Sequence, residues 1–368
     1  MINILLVASV TTLACSLLGP YLVLRKLSMT ADAISHSVLL GIVLAFFITY
    51  DLKSPLLIIG AIIFGLFSVY FIESLGKTKK VNYQDAIGVV FPMFFAMAVI
   101  LISRFARNVH LDTDIVLMGE LIFTSLDTVS IGSLVLPLAF IKMLILFIIN
   151  LIVIIALFQK IKIICFDSQF AFIKNIRTHL IYYLIITLTC ITIVNAFDSV
   201  GSILVLSLLI GPAASAFLIT KRLYKMYIYS LLIGLIDTLI GTVFSVIFNT
   251  SISGMIAFVI MVHFILILCF HKEGIIRQII VRKQRQKELY KQLFIIHIGN
   301  HQKDGRYLTE NNNSLIYKHL HWSDRQLKRV IRSLMMNHFI ELNNNCYLLT
   351  DRGQKYYNEL MRNQDSSI

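Results

Sequence analysis

The stretch Leu27–Phe47, LSMTADAISHSVLLGIVLAFF, decides how the rest of the chain is read. It has the length and apolar content of a membrane-spanning helix, yet Asp32 and His36 sit four residues apart within it. Ionisable groups are costly in lipid and usually face a bundle interior or an aqueous path. Helical residues at i and i+4 project side by side, so a carboxylate and an imidazole converge on one point. Together they offer one oxygen and one nitrogen ligand, a set suited to a divalent transition metal. Two plainer readings fit the same spacing: a buried Asp–His pair that fixes packing, and an Asp near the helix start acting as its cap.

The surrounding composition fixes the class. The 368 residues are 57% hydrophobic and only 14% charged, with a mean hydropathy of +0.80, where soluble domains carry about 25% charged residues. Apolar runs of about 20 residues recur along the chain, which makes it a polytopic membrane protein. The first run lacks a charged n-region and a small-residue cleavage site, so it reads as a span and not as a cleaved signal. Nine spans are predicted: Asn3–Leu24, Ala31–Tyr50, Pro55–Ser74, Ala86–Ser103, Leu134–Phe158, Leu180–Ala196, Gly201–Thr220, Tyr227–Phe248 and Gly254–Phe270. Two shorter apolar pieces, Ile115–Phe123 and Thr128–Val135, read as re-entrant or interfacial.

Charge sets the orientation. Alternate loops hold Arg25 and Lys26; Lys77, Lys79 and Lys80; Lys160, Lys162, Lys174 and Arg177; and Lys221, Arg222 and Lys225. The intervening loops hold only Lys53, Arg104 and Arg107. That is 12 against 3, so the richer loops are cytosolic. Nine crossings then place the N-terminus outside and the long C-terminal tail in the cytosol. From His271 onward there are 17 Lys/Arg against 9 Asp/Glu, which is +8 of the net +13. A basic cytosolic segment suits phosphate-bearing partners. The five cysteines show no CxxC spacing and read as small core residues.

Four further features sit on this frame. In the loop Gln159–Thr178, the segment Cys165–Ile176 (CFDSQFAFIKNI) places Phe166, Phe170 and Ile173 at helical spacing, with Asp167 able to cap the start. It reads as a short cytosolic helix, either resting on lipid headgroups or docking a cytosolic subunit. Asp198 is placed to cap the seventh span. Gly211-Pro212 falls inside that span and predicts a kink or break, because proline lacks an N–H and clashes with the preceding turn. Asp237 and His263 lie inside the last two spans, as pathway residues or as satisfied buried polar groups.

Five segments together resemble the permease subunits of bacterial metal (zinc/manganese/iron) ABC importers, the ABC-3 family. They are Gly19–Gly41 (GPYLVLRKLSMTADAISHSVLLG), Asp85–Gly88 (DAIG), Leu111–Phe123 (LDTDIVLMGELIF), Phe166–Ala171 (FDSQFA) and Val200–Ala216 (VGSILVLSLLIGPAASA). The resemblance covers roughly residues 1–270 and implies a homo- or heterodimer of permeases in the bacterial cytoplasmic (inner) membrane. It also implies two cytosolic ATP-binding subunits and an extracytoplasmic metal-binding protein. Asp32 and His36 fall on the family's Asp–His pair in the metal translocation path. Phe166, Asp167, Phe170 and Ala171 fall on the segment that docks the ATPase. Leu40 and Ser251-Ile252-Ser253-Gly254 stand where the family often carries proline.

From Arg282 the composition turns polar. An amphipathic helix Arg282–Ile296, a short helix Ser314–Leu320, a turn and a longer helix Arg325–Asn337 capped by Ser323 or Asp324 come first. Strands Ile340–Leu342 and Cys346–Leu349 follow around Asn343–Asn345, and then a helix from Arg352 to Met361. This order looks like a winged-helix domain. Arg325, Lys328, Arg329 and Arg332 would be its DNA-contact candidates, although winged helices also dock proteins. His297/His301 and His319/His321 read as metal-sensing pairs or as scattered surface histidines.

The expectation is therefore an all-α polytopic membrane protein of about nine transmembrane helices followed by a small cytosolic α+β winged-helix-like domain. The expected boundaries are 1–272 for the permease, 273–284 for a linker and 285–368 for the tail. The expected function is ATP-driven import of Zn2+, Mn2+ or Fe2+, with no permanently bound cofactor. No GxxxxGK[ST] loop is present, so ATP hydrolysis is expected on a separate chain. The alternatives are a permease for a chelated metal or vitamin, a secondary transporter, and a membrane-anchored metal-responsive regulator whose tail binds DNA.

Overall fold

The structure is a computed structural model. It describes the chain apart from residues 1, 52–53, 79–80, 106–120, 122–127, 132–133, 272–273, 314–315, 317–319, 321 and 366–368. The chain divides into two compact units, Met1–Gly274 and Ile275–Ile368.

The first unit is helical. Among the described residues it holds α1 (Ile2–Leu24), α2 (Ser28–Thr49), α3 (Pro55–Lys77) and α4 (Tyr83–Phe105). A β-hairpin follows, β1 (Thr128–Ile131) with β2 (Leu134–Pro137). Then come α5 (Leu138–Phe166), the short α6 (Ser168–Ile173), α7 (Thr178–Val200), α8 (Ser202–Ile219), α9 (Leu223–Phe248) and α10 (Ile252–Phe270). All of the helices except α6 are long and apolar enough to cross a membrane. Helix α1 packs on α5, α8 and α9, and α8 and α9 both pack on α10; α2, α3 and α4 form a second group.

The turn from α1 into α2 fixes where Asp32 stands. Lys26 adopts a left-handed φ of 59°, Leu27 N–H bonds Leu22 O at 2.8 Å and Lys26 N–H bonds Val23 O at 3.1 Å. These are the paired bonds of a Schellman ending, made here without glycine. Helix α2 then starts at Ser28, so Asp32 is its fifth residue and lies inside it, not at its cap. Small residues bring α2 onto α3: a Cβ on Gly41 would lie 2.2 Å from Gly60 O, and one on Gly60 would lie 2.6 Å from Gly41 O. Because backbone meets backbone at this crossing, Gly41→Ala must push the helices apart. Overpacking of this kind costs about 1–3 kcal/mol. It is expected to lower the thermal midpoint of the detergent-solubilised protein, and an unchanged midpoint would show the crossing to be loose.

Four sequence expectations change here. Thr128–Val135, expected as a re-entrant or interfacial apolar piece, falls on two paired strands, with Thr128 opposite Pro137. Asp198 is not the N-cap residue of the next helix, because α7 runs on to Val200 and the N-cap of α8 is Gly201, at φ 81°. The predicted docking helix is shorter, since Cys165 and Phe166 end α5. Lastly, Gly211-Pro212 does not break α8, which is helical from Ser202 to Ile219. Pro212 cannot bond the carbonyl four residues back, Leu208 O, and the Ser16 hydroxyl of α1 donates to that carbonyl instead, at 3.3 Å. Helix-breaking residues persist in membranes where a neighbouring side chain satisfies the freed group. Gly211 serves close packing, as an added Cβ would lie 2.2 Å from Ile260 of α10.

The second unit holds α11 (Ile275–Lys303), α12 (Tyr307–Glu310), α13 (Asp324–Met336), β3 (Ile340–Asn343), β4 (Cys346–Leu349) and α14 (Asp351–Asp365). Residues 275–284 are thus part of a helix. Phe294, Ile298, Leu327, Ile331, Tyr347 and Tyr357 centre its own core. Asn344 and Asn345 both take positive φ, 46° and 65°, the backbone of a two-residue hairpin turn that matches strand twist. Most of the helix expected at Ser314–Leu320, with His319 and His321, lies outside the described residues.

Candidate functional site

Helix α2 is among the most buried spans, and its buried residues run from Thr30 to Phe46. Asp32 and His36 are exceptions on its inner half, with side chains 42% and 32% exposed. His36 Nε2 lies 3.6 Å from Asp32 Oδ1. That is too long for a hydrogen bond. It is close to the separation of about 3.4 Å between two ligands of one tetrahedral ion at 2.0–2.1 Å bond lengths. The other imidazole nitrogen, Nδ1, is buried and has no hydrogen-bond partner among the described residues. The ring itself is held by Phe91 at 5.1 Å and by Phe95, edge-on, at 5.7 Å, both from α4. The imidazole is therefore oriented by aromatic packing, with Nε2 directed to the carboxylate side.

The second candidate site lies at α6. Asp167 caps this helix: its Oδ1 accepts from Phe170 N–H at 2.8 Å. Ala171 is buried, while Phe166, Phe170, Phe172 and Ile173 are exposed, Phe172 by 84%. Lys174 lies over the Phe170 ring at 5.7 Å. Asp167 thus caps a short helix whose aromatic rings are exposed. One contact ties this corner to the metal-ligand candidates: Arg25, in the turn before α2, donates from Nη1 to Ile164 O near the end of α5, at 3.3 Å.

Gly211 and Pro212 do not join Asp32 and His36 in a broken-helix site. Within α13, Leu327, Val330, Ile331 and Leu334 are buried, while Arg325, Lys328, Arg329 and Arg332 are all exposed. The His297 and His301 rings meet edge to face, with centroids 4.6 Å apart. Among the described residues, no group of three or more His, Cys, Asp or Glu is gathered as a metal cluster. The pairing that the sequence did not reveal is Asp237 with His263, joined at 2.6 Å between α9 and α10.

Comparison with known proteins adds an independent line. The ABC 3 transport family matches residues 1–271. The chain is 36% identical over 352 residues to the zinc transport system membrane protein TroD of Treponema pallidum, covering 95% of this chain and 96% of that protein. It is 42% identical over 245 residues to the manganese transport system membrane protein MntD of Bacillus subtilis, covering 66% and 83%. Among solved structures it is similar to PsaBC from Streptococcus pneumoniae in complex with Fab. There the TM-score is 0.61 at 26% identity, over 76% of this chain and 94% of that one.

Proposed function

The chain belongs to the ABC 3 transport family, and from that premise we propose that it imports a transition-metal ion of the zinc, manganese and iron group as a membrane-spanning permease subunit. It is a multi-pass transport subunit and not itself an enzyme. The observation that carries the reading is the Asp32–His36 pair, spaced for a shared ion and partly open on a helix that is mostly packed.

In this reading the ATP-binding subunit is a separate cytosolic chain seated on Phe166, Asp167, Phe170 and Ala171. A second permease completes the path, an extracytoplasmic metal-binding protein delivers the ion, and the C-terminus is cytosolic. ATP binding draws the two docking helices together and tilts the bundle. Asp32 and His36 ligate the ion in passing, and few ligands per subunit suit a site that must also release. A secondary transporter has no need of α6, and an Asp–His pair suits a bare cation better than a chelate.

The reading is tested by uptake of labelled zinc, manganese and iron in cells with and without this chain. Loss of accumulation of at least one metal is expected. Equal accumulation of all three removes the proposal.

For residues 275–368, the helix–helix–hairpin–helix order supports a winged-helix-like module that docks protein on the cytosolic side. The exposed Arg325, Lys328, Arg329 and Arg332 are the feature that favours nucleic acid instead. A gel shift of the isolated tail on operon-promoter DNA at low salt is expected to show no complex. A salt-sensitive complex lost in Arg329→Ala would assign the tail to DNA.

A further inference from the structure

A second ionisable pair lies deeper in the bundle. Asp237 is the fifteenth of the 26 residues of α9, and His263 is the twelfth of the 19 residues of α10. Both therefore sit nearer mid-span than Asp32, the fifth of 22 in α2. Asp237 is 1% exposed, and its Oδ1 meets His263 Nδ1 at 2.6 Å. Its other oxygen, Oδ2, is fully buried and has no hydrogen-bond partner among the described residues.

The surroundings sharpen that imbalance. Helix α9 packs on α1, α8 and α10. Across these four helices the only carboxylate is Asp237, the only histidine is His263, and the only Lys or Arg is Lys225, three turns away at the start of α9. The remaining titratable groups are cysteines and tyrosines: Cys15 and Tyr21 on α1, Tyr224, Tyr227 and Tyr229 on α9, and Cys269 on α10. Neutral oxygens stand close by. Thr238, next to Asp237, shares a 2.7 Å hydrogen bond with Thr12 of α1, and Ser230 donates to Ser16 O at 2.9 Å. The buried face of α9 is made of Ser230, Gly234, Asp237, Thr238, Gly241, Thr242 and Ser245 among others, while most of its apolar residues point outward.

A contact that merely pins α10 to α9 needs one carboxylate oxygen and leaves the second as a buried charge without a partner, which is costly. A cation uses both. We propose that Asp237 and His263 form a second binding position for the transported divalent metal, inside the bundle and beyond Asp32 and His36 along the path. The donor set is the same one oxygen and one nitrogen, which suits zinc, manganese and ferrous iron. With bonds of about 2.0–2.2 Å, two ligands of one ion stand roughly 3.0–3.4 Å apart. The pair at rest has only to open by under about 1 Å. His263 is 33% exposed and sits on the edge of α10, where such a movement meets little packing.

The inference rests on the metal-permease reading, and the experiment separates the two. The intact importer, with this chain and its ATPase copurified, is dialysed to equilibrium against manganese or zinc, and bound metal is counted by elemental mass spectrometry. Uptake is measured in parallel. Asp237→Asn keeps the shape of the side chain and is expected to lose about tenfold or more in affinity at one of two positions, with a matching fall in uptake. The double variant Asp32→Asn/His36→Gln is expected to lose the other position. If Asp237→Asn does not assemble, His263→Gln carries the same measurement. A variant that binds and transports as wild type does overturns this inference alone, leaving a packing contact. A wild-type importer that neither binds nor transports metal overturns the transport reading and this inference with it.

Discussion

Replacing His36 by alanine is expected to abolish metal uptake while the permease still folds and assembles. The two effects separate because of where the ring stands. His36 is partly open and makes no hydrogen bond to Asp32 at 3.6 Å, so its structural contribution is mainly its contact with Phe91 and Phe95. Losing such ring packing costs about 0.5–1.5 kcal/mol, well within what a large membrane bundle tolerates. Losing one of two ligands of a weak site removes the site. Asp32→Ala is expected to act in the same way, since a lone imidazole cannot hold a hydrated divalent ion against water. The measurement is uptake normalised to the amount of assembled importer in the membrane. Wild-type uptake in both variants would place the path elsewhere.

Replacing Phe170 and Phe172 by aspartate is expected to abolish copurification with the proposed ATP-binding subunit. Both rings are exposed, so the substitutions cost this chain little stability. Buried aromatic anchors at interfaces are worth about 2–4 kcal/mol each, and two together exceed what a complex can lose and still survive washing. Asp167→Ala is the milder companion. It removes the bond to Phe170 N–H and costs about 1 kcal/mol of helix capping, so it weakens the complex without dissolving it. A double aspartate variant that still brings down the ATPase at wild-type yield would move the docking site away from α6.

Much of this was legible in the chain itself, and the failures share one cause. The spans could be read because each is a long apolar run, and their errors are at the ends. Helix α5 continues to Phe166, past Lys160 and Lys162, because long lysine side chains can carry their charge out to polar surroundings. Asp32 and His36 could be read because four residues make one face of one helix. What could not be read were contacts made across the fold. Pro212 predicts a break, and the Ser16 hydroxyl that bonds the freed carbonyl stands almost two hundred positions earlier. Asp237 and His263 each stood out singly, but only the packing of α9 on α10 shows that they meet. Asp198 was assigned to the wrong helix because α7 runs on past it to Val200 and the chain turns only at Gly201.

The polar inner face of α9 also bears on how the chain enters the membrane at all. A carboxylate at the centre of a single helix costs about 2.5–3.5 kcal/mol during insertion, and α9 meets that cost before any tertiary partner exists. Its outward residues, Ile228, Leu232, Ile236, Leu239, Val243 and Ile247 among them, supply the hydrophobicity that a lateral exit into lipid requires. Only Asn249, Thr250 and Ser251 separate α9 from α10. The two helices can therefore leave the insertion machinery as one hairpin, with His263 delivered to Asp237 as the last span arrives. Truncating the chain after Phe248 would leave that carboxylate without its imidazole partner.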